Sequence, residues 1–151
     1  MDFILNKGVE TKFVNNMETK FVNNFLIRQK QERILFELQK KRSRAIDRFS
    51  HDVKVLLNSN IILLSGEHLR IDDVVKALQD YNISLRAMVC IISGNETLDN
   101  KIISLQEAIK FFFNDYLQMV ITDGEHFALI KEETSGSYSQ KYVLINQVKS
   151  N

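Results

Sequence analysis

Residues 25–57 read FLIRQKQERILFELQKKRSRAIDRFSHDVKVLL and contain neither glycine nor proline. Apolar residues recur along this stretch at spacings of three, four, seven and eight, which is typical of one face of an amphipathic helix. The recurring positions are Ile27, Leu35, Leu38, Ala45, Phe49, Val53 and Leu56. The pattern predicts one continuous helix of about 50 Å, at 1.5 Å per residue.

The predicted helix is basic on the side away from its apolar stripe. Residues 28–54 hold nine Lys and Arg against four acids, whereas residues 59–151 hold eight against twelve, in a chain of net charge +1. A cluster of five basic residues is a candidate for neutralising the phosphates of a nucleic acid. These residues are Lys40, Lys41, Arg42, Arg44 and Arg48. A solvated helix face, or the flank of a helix–helix seam, explains the same charges.

Composition limits the classes of protein to consider. A chain of 151 residues with 44% apolar residues is large enough for one self-sufficient core. A single cysteine, Cys90, excludes an intramolecular disulfide, and its place in an apolar run favours a buried, inert thiol. There is no secretory signal and no apolar run near 18 residues, so we expect a cytoplasmic protein without a membrane span.

The first 24 residues carry a tandem repeat, because ETKFVNN at 10–16 returns at 18–24. Such a short double copy is not a solenoid repeat, whose period is 20–50 residues. We therefore divide the chain into a repeat-bearing segment, 1–24, which we expect to fray at its start, and a single domain, 25–151, that includes the long helix.

Two similar segments follow the helix at an offset of 28 residues. Each has a four-residue apolar run, at 61–64 and 89–92, then a Ser-Gly pair, then a helical pattern, at 71–78 and 102–113. Continuous apolar strands that alternate with helices favour parallel strands buried on both faces. Apolar runs at 119–122, 127–130 and 142–145, the first two joined by an Asp-Gly turn, predict a three-stranded meander. The expected fold is α/β or α+β, a mixed sheet covered by helices.

A candidate ligand site follows from this topology. In open α/β sheets ligands bind beyond the carboxyl ends of parallel strands, where glycine lets backbone N–H groups approach an anion. The residues at such positions are Ser65, Gly66, His68, Ser93, Gly94 and Asp123. Ordinary turn chemistry explains the same residues. No nucleotide-binding or zinc-binding spacing and no catalytic signature is present, so the sequence indicates no cofactor, metal or catalytic residue.

Two functions of different classes remain. A helix of about 50 Å is longer than a 100-residue body, with a radius of gyration of about 13 Å, can cover. An exposed apolar stripe usually marks an interface, so we expect a non-enzymatic interaction or regulatory protein. It would form a homodimer, or bind a partner helix, through helix 25–57, with nucleic acid on the basic face. The alternative is a small ligand-binding domain or hydrolase with its site at the Ser-Gly strand ends.

Overall fold

Six strands form one sheet in which all neighbouring strands within the described ranges run antiparallel. The computed structural model describes residues 14–51, 53–133 and 139–146. The strands are β1 (Ile62–Gly66), β2 (Met88–Ser93), β3 (Ile102–Ser104), β4 (Met119–Thr122), β5 (Phe127–Lys131) and β6 (Lys141–Ile145). Their order across the sheet is β1-β6-β5-β4-β2-β3.

The predicted α/β class and the predicted meander are confirmed, but the parallel pairing is wrong. Strands β4, β5 and β6 pair in succession, as the Asp-Gly turn indicated. Strand β1 pairs with β6 and β2 pairs with β4, so three strands separate the two segments predicted to be neighbours. Apolar runs mislead here because an antiparallel strand covered by helices on both faces is also apolar throughout.

Strand β3 was not predicted, because Ile102 and Ile103 were assigned to the start of a helix. The helix begins only at Leu105, and Ser104 caps it by accepting a hydrogen bond from the N–H of Glu107. A serine followed three residues later by glutamate is a capping signature, so the sequence did contain the correct boundary.

The predicted continuous helix over residues 25–57 is wrong. The helices are α1 (Asn16–Phe25), α2 (Arg28–Lys40), α3 (Arg42–Asp47), α4 (Ile71–Asp80) and α5 (Leu105–Asn114). Leu26 and Ile27 are extended, with ψ angles of 156° and 145°, and Lys41 interrupts the helix with φ −141°. After α3, the described residues form turns at 48–50 and a short 3-10 helix at Val53–Leu56 in place of the predicted α-helix.

Long-range hydrogen bonds hold this segment in a folded-back shape. The N–H of Ile27 donates to the carbonyl of Leu56 at 2.8 Å, and the N–H of Asn58 donates to the carbonyl of Phe25 at 2.9 Å. A continuous helix would separate these partners by about 45 Å. Tertiary pairing therefore overrides a helical propensity that no glycine or proline weakens.

Helices cover both faces of the sheet and create two hydrophobic cores. Helices α1 to α3 pack on one face, and α4 and α5 pack on the other. The buried apolar residues of segment 25–57 are Phe25, Leu26, Ile34, Leu38, Ala45, Ile46, Phe49, Val53, Leu56 and Leu57. The sheet of the same chain thus covers most of the stripe, which removes the reason for expecting self-association through it.

Helix α1 belongs to the first core. Asn15 caps it by accepting a hydrogen bond from the N–H of Glu18, and Phe21 and Phe25 are fully buried. The division proposed between residues 24 and 25 therefore falls inside a packed helix. The second copy of the repeat lies in α1, whereas residues 10–13 of the first copy lie outside the described residues.

Candidate functional site

Helix α3 folds back against α2, and an ion pair fixes the turn between them. Arg48 donates two hydrogen bonds of 2.7 Å to the two carboxylate oxygens of Glu37. In a straight helix these residues, eleven positions apart, would be separated by about 16 Å along the axis. The pKa of the Glu37 carboxyl lies below its ordinary value, chiefly because Arg48 hydrogen-bonds to it. Arg48, a predicted phosphate contact, thus has an internal role.

Arg42, a second predicted phosphate contact, also has an internal role. Its guanidinium donates to both carboxylate oxygens of Glu18 and to both of Asp99, so it joins α1 to the loop after β2. The Arg42 side chain is only 12% exposed. Bidentate pairing of this kind uses the fork geometry of arginine and leaves little of it for another anion.

Two carboxylates, those of Glu18 and Asp99, share the single positive charge of this guanidinium. Burial raises the pKa of Glu18, and the hydrogen bonds from Arg42 oppose that rise only in part. Burial alone would lower the pKa of Arg42, but its bonds to Glu18 and Asp99 hold it above the ordinary value. Arg42 therefore stays charged and compensates two buried acids.

The remaining three predicted residues, Lys40, Lys41 and Arg44, are exposed. None of them forms an ion pair with a carboxylate of the described residues. Lys41 and Arg44 line an open groove of about 620 Å³ at the α2–α3 turn, which we call the basic groove. Its other lining residues are Gln29, Lys30, Glu32, Arg33, Phe36 and Glu37.

Phe36 is the residue of the basic groove that sequence reasoning missed. Its ring is 53% exposed, although phenylalanine is usually buried. It lies two positions from Ile34 and from Leu38, both fully buried, and therefore on the opposite side of α2. An aromatic residue on the polar side of a helix, between Arg33 and Lys40, was the signal that could have identified it.

The structure separates the residues of the alternative site. Paired residues form a row along one edge of the sheet, where the strands end. The row starts at Gly66 and continues through Lys141, Lys131 and Met119 to Ser93. Four strand spacings of about 4.8 Å place Gly66 roughly 19 Å from Ser93. Asp123 follows Thr122, which pairs with Cys90, and so lies at the opposite edge. The expectation that these turns converge depended on parallel strands and is wrong.

The Ser93-Gly94 turn is occupied by internal contacts. The N–H of Ser93 donates to Asp99 Oδ1 at 3.0 Å, and its hydroxyl donates to the carbonyl of Gln118 at 2.9 Å. A Cβ on Gly94 would lie 2.6 Å from Gln118 Oε1, so the side-chain amide of Gln118 would have to shift to admit one. Gly94 here permits packing of the protein against itself.

Lys40 and Lys41 reach the Ser93-Gly94 turn across a second cleft, of about 650 Å³. Among the clefts found in the described residues, this is the one lined both by predicted nucleic-acid contacts and by residues of the alternative ligand site. Four acids line the same cleft, namely Asp47, Glu96, Asp99 and Glu133. A cleft with that many carboxylates is a poor site for an anion, because like charges repel.

The Asp123-Gly124 turn is a hairpin held by its own side chains. Asp123 accepts hydrogen bonds from the N–H groups of Glu125 and His126, and it contacts His126 Nδ1 at 2.7 Å. Gly124 has φ +87°, a left-handed conformation that favours glycine. Asn24 of α1 donates to the carbonyl of Gly124 at 2.8 Å, so α1 covers this turn.

The other candidate residues add no chemistry to either set. His68 lies on the exposed turn after β1. Cys90 is fully buried, and burial raises the pKa of its thiol well above the ordinary value. Among residues 14–51, 53–133 and 139–146, no three His, Cys, Asp or Glu side chains are grouped to hold a metal.

No protein family, curated protein or solved structure matches this chain. None of the helices in the described part of the chain combines the length and the apolar character needed to cross a bilayer.

Proposed function

We propose that the protein binds single-stranded nucleic acid through the basic groove. The exposed ring of Phe36 carries the proposal, because it lies among the cationic side chains of Lys30, Arg33, Lys41 and Arg44. A nucleotide offers both a phosphate and an aromatic base, and this groove offers a partner for each.

The charge balance of the surface supports an anionic partner. The outer side of α2 and α3 holds Arg28, Lys30, Arg33, Lys40, Lys41 and Arg44. The exposed acids among them are Glu32 and Asp47, whereas Glu37 is buried and pairs with Arg48 and, at 3.5 Å, with the exposed Arg33. Exposed cations of this kind draw phosphates by releasing condensed counterions, which makes binding depend on salt.

The expected salt dependence follows from four cations in the groove. Contacts of Lys30, Arg33, Lys41 and Arg44 to four phosphates give a slope of log K against log salt of about −3 for a single strand. Stacking of one base on Phe36 contributes about 1–3 kcal/mol, with little preference for sequence.

The test measures the affinity by fluorescence anisotropy, with labelled oligo(dT) and oligo(U) of about twelve nucleotides, at about 50 to 200 mM salt. Removal of two cations, by Lys41→Gln with Arg44→Gln, should reduce the salt slope by about 1.4. Phe36→Ala should weaken binding by about fivefold or more, through the loss of stacking.

Matched controls remove the same features elsewhere. Lys101→Gln with Lys110→Gln removes two exposed charges away from the groove, and Phe111→Ala removes a ring that is 41% exposed on α5. Both controls should bind as the unaltered protein does. Equal losses in the control and groove variants, or no binding at 50 mM salt, would refute the proposal.

A further inference from the structure

Two lysines face each other in the second core. Lys131 on β5 and Lys141 on β6 are directly opposite in register and lie on the face covered by α4 and α5. Lys131 is 2% exposed and Lys141 is 9% exposed, so both are buried. Like charges opposite each other on adjacent strands are destabilising, and lysine is rarely buried without a partner.

Within the described residues, neither ammonium has a carboxylate partner. Lys131 Nζ donates to the carbonyl of Asp115, and Lys141 Nζ donates to the carbonyl of Ser139 at 3.4 Å. No side chain in the described part of the chain forms an ion pair with either lysine. Each ammonium has three donor positions, so hydrogen-bonding capacity remains on both.

Aromatic rings hold the two ammonium groups in place. Lys131 Nζ lies 5.8 Å from the centre of the Phe112 ring, and Lys141 Nζ lies 5.6 Å from that of Phe113. Cation–π contacts of this kind compensate a buried charge only partly. Burial accordingly lowers the pKa of Lys131 to about 8 and also lowers the pKa of Lys141.

Asp115, the acid whose charge acts on Lys131, is engaged elsewhere. Its carboxylate accepts hydrogen bonds from Asn95 Nδ2 at 2.6 Å and from the N–H of Leu117 at 2.9 Å. Its charge raises the pKa of Lys131, but burial outweighs that effect. Among the acids that the structure describes, none serves as a dedicated counterion for these two buried lysines.

An open cleft of about 280 Å³ adjoins both lysines. Its lining residues are Phe112, Phe113, Asn114, Asp115, Tyr116, Lys131, Ser139 and Lys141, and we call it the lysine cleft. Because liquid water occupies about 30 Å³ per molecule, the cleft has room for a small ion and several waters. We propose that the lysine cleft binds a small oxyanion of the sulfate, phosphate or carboxylate class between Lys131 and Lys141.

Binding should weaken as pH rises, because the anion needs protonated lysines. The titratable groups that line the cleft besides Lys131 and Lys141 are Asp115 and Tyr116. Lys131, whose pKa is about 8, loses its proton near that pH. Between pH 7 and pH 9 the affinity should fall roughly tenfold if one proton is coupled to binding.

The experiment is calorimetric titration of the whole protein with sulfate at constant ionic strength in a chloride buffer. Sulfate stays dianionic over this pH range, so it isolates the titration of the protein. Lys141→Met and Lys131→Met should each weaken binding by about tenfold or more, the value of one charge-assisted hydrogen bond. Lys110→Met, at an exposed position on α5, is the matched control and should bind normally.

Circular dichroism establishes that each variant is folded before titration. Saturable one-to-one binding that both cleft variants lose and Lys110→Met retains supports the proposal. Sulfate heat that does not saturate, or binding that Lys141→Met leaves unchanged, overturns it. If Lys131→Met fails to fold, the Lys141→Met result and the pH dependence of the unaltered protein decide the question.

Discussion

Replacement of Arg42 by methionine tests whether this arginine stabilises the fold or is available to bind phosphate. Methionine replaces the unbranched stem of the side chain but leaves Glu18 and Asp99, both buried, without the guanidinium that now bonds to them. Removing one partner of a buried ion pair typically costs about 3–5 kcal/mol. With an unfolding entropy of about 2.1 cal/mol/K per residue, this lowers the melting temperature of the chain by roughly 9–16 °C.

The assay is thermal and urea unfolding followed by circular dichroism. Arg44→Met is the matched control, because Arg44 is exposed and makes no ion pair with the described acids, and it should stay within about 0.5 kcal/mol. The loss in Arg42→Met should shrink as pH falls, since burial raises the pKa of Glu18 and its protonation removes uncompensated charge. Adding Glu18→Gln to Arg42→Met should restore part of the stability.

If Arg42→Met and Arg44→Met unfold at the same temperature, the reasoning is refuted, because Arg42 then does not compensate the buried acids Glu18 and Asp99. It would then have to be counted again among the residues available to phosphate.

Three further outcomes follow from single positions. Lys131 has a folded pKa of about 8 against an ordinary value of 10.5, so the folded state releases its proton first. The unfolding free energy should therefore rise by about 3 kcal/mol between pH 8 and pH 10.5 relative to Lys131→Met, measured by urea unfolding. Gly124→Ala, with φ +87° and a Cβ 2.7 Å from the carbonyl of Met17, should cost about 1–3 kcal/mol, whereas Gly66→Ala, whose nearest neighbour is at 3.9 Å, should be nearly neutral. Cys90 is buried and its pKa is raised, so a thiol reagent should label it only at the rate of unfolding.

Much of the secondary structure could be predicted from the sequence, because apolar runs and turn residues act locally. The strands at 119–122, 127–131 and 141–145 were predicted within one residue. Direction and partners were not predicted, since an apolar strand in a covered antiparallel sheet looks like a parallel one. Pairing of β1 with β6 depends on residues about 80 positions apart.

The basic residues show a different limit of sequence reasoning. Charge and spacing grouped Arg42 and Arg48 with Lys41 and Arg44, but Arg48 pairs with Glu37 in the preceding helix and Arg42 pairs with acids elsewhere in the chain. Glu18 and Asp99 come from α1 and from the loop after β2, and only the fold brings them to Arg42. The helix break at Lys41 arises in the same way, because distant contacts stabilise it and no local residue type encodes it.

The most direct measurement of the proposed function is an NMR titration of the ¹⁵N-labelled protein with oligo(dT). Our account predicts that amide shifts concentrate in residues 29–44, on the outer side of α2 and the start of α3. It also predicts that these shifts diminish as salt is raised. Shifts confined to another surface, or a spectrum unchanged at low salt, would contradict the assignment of nucleic-acid binding to the basic groove.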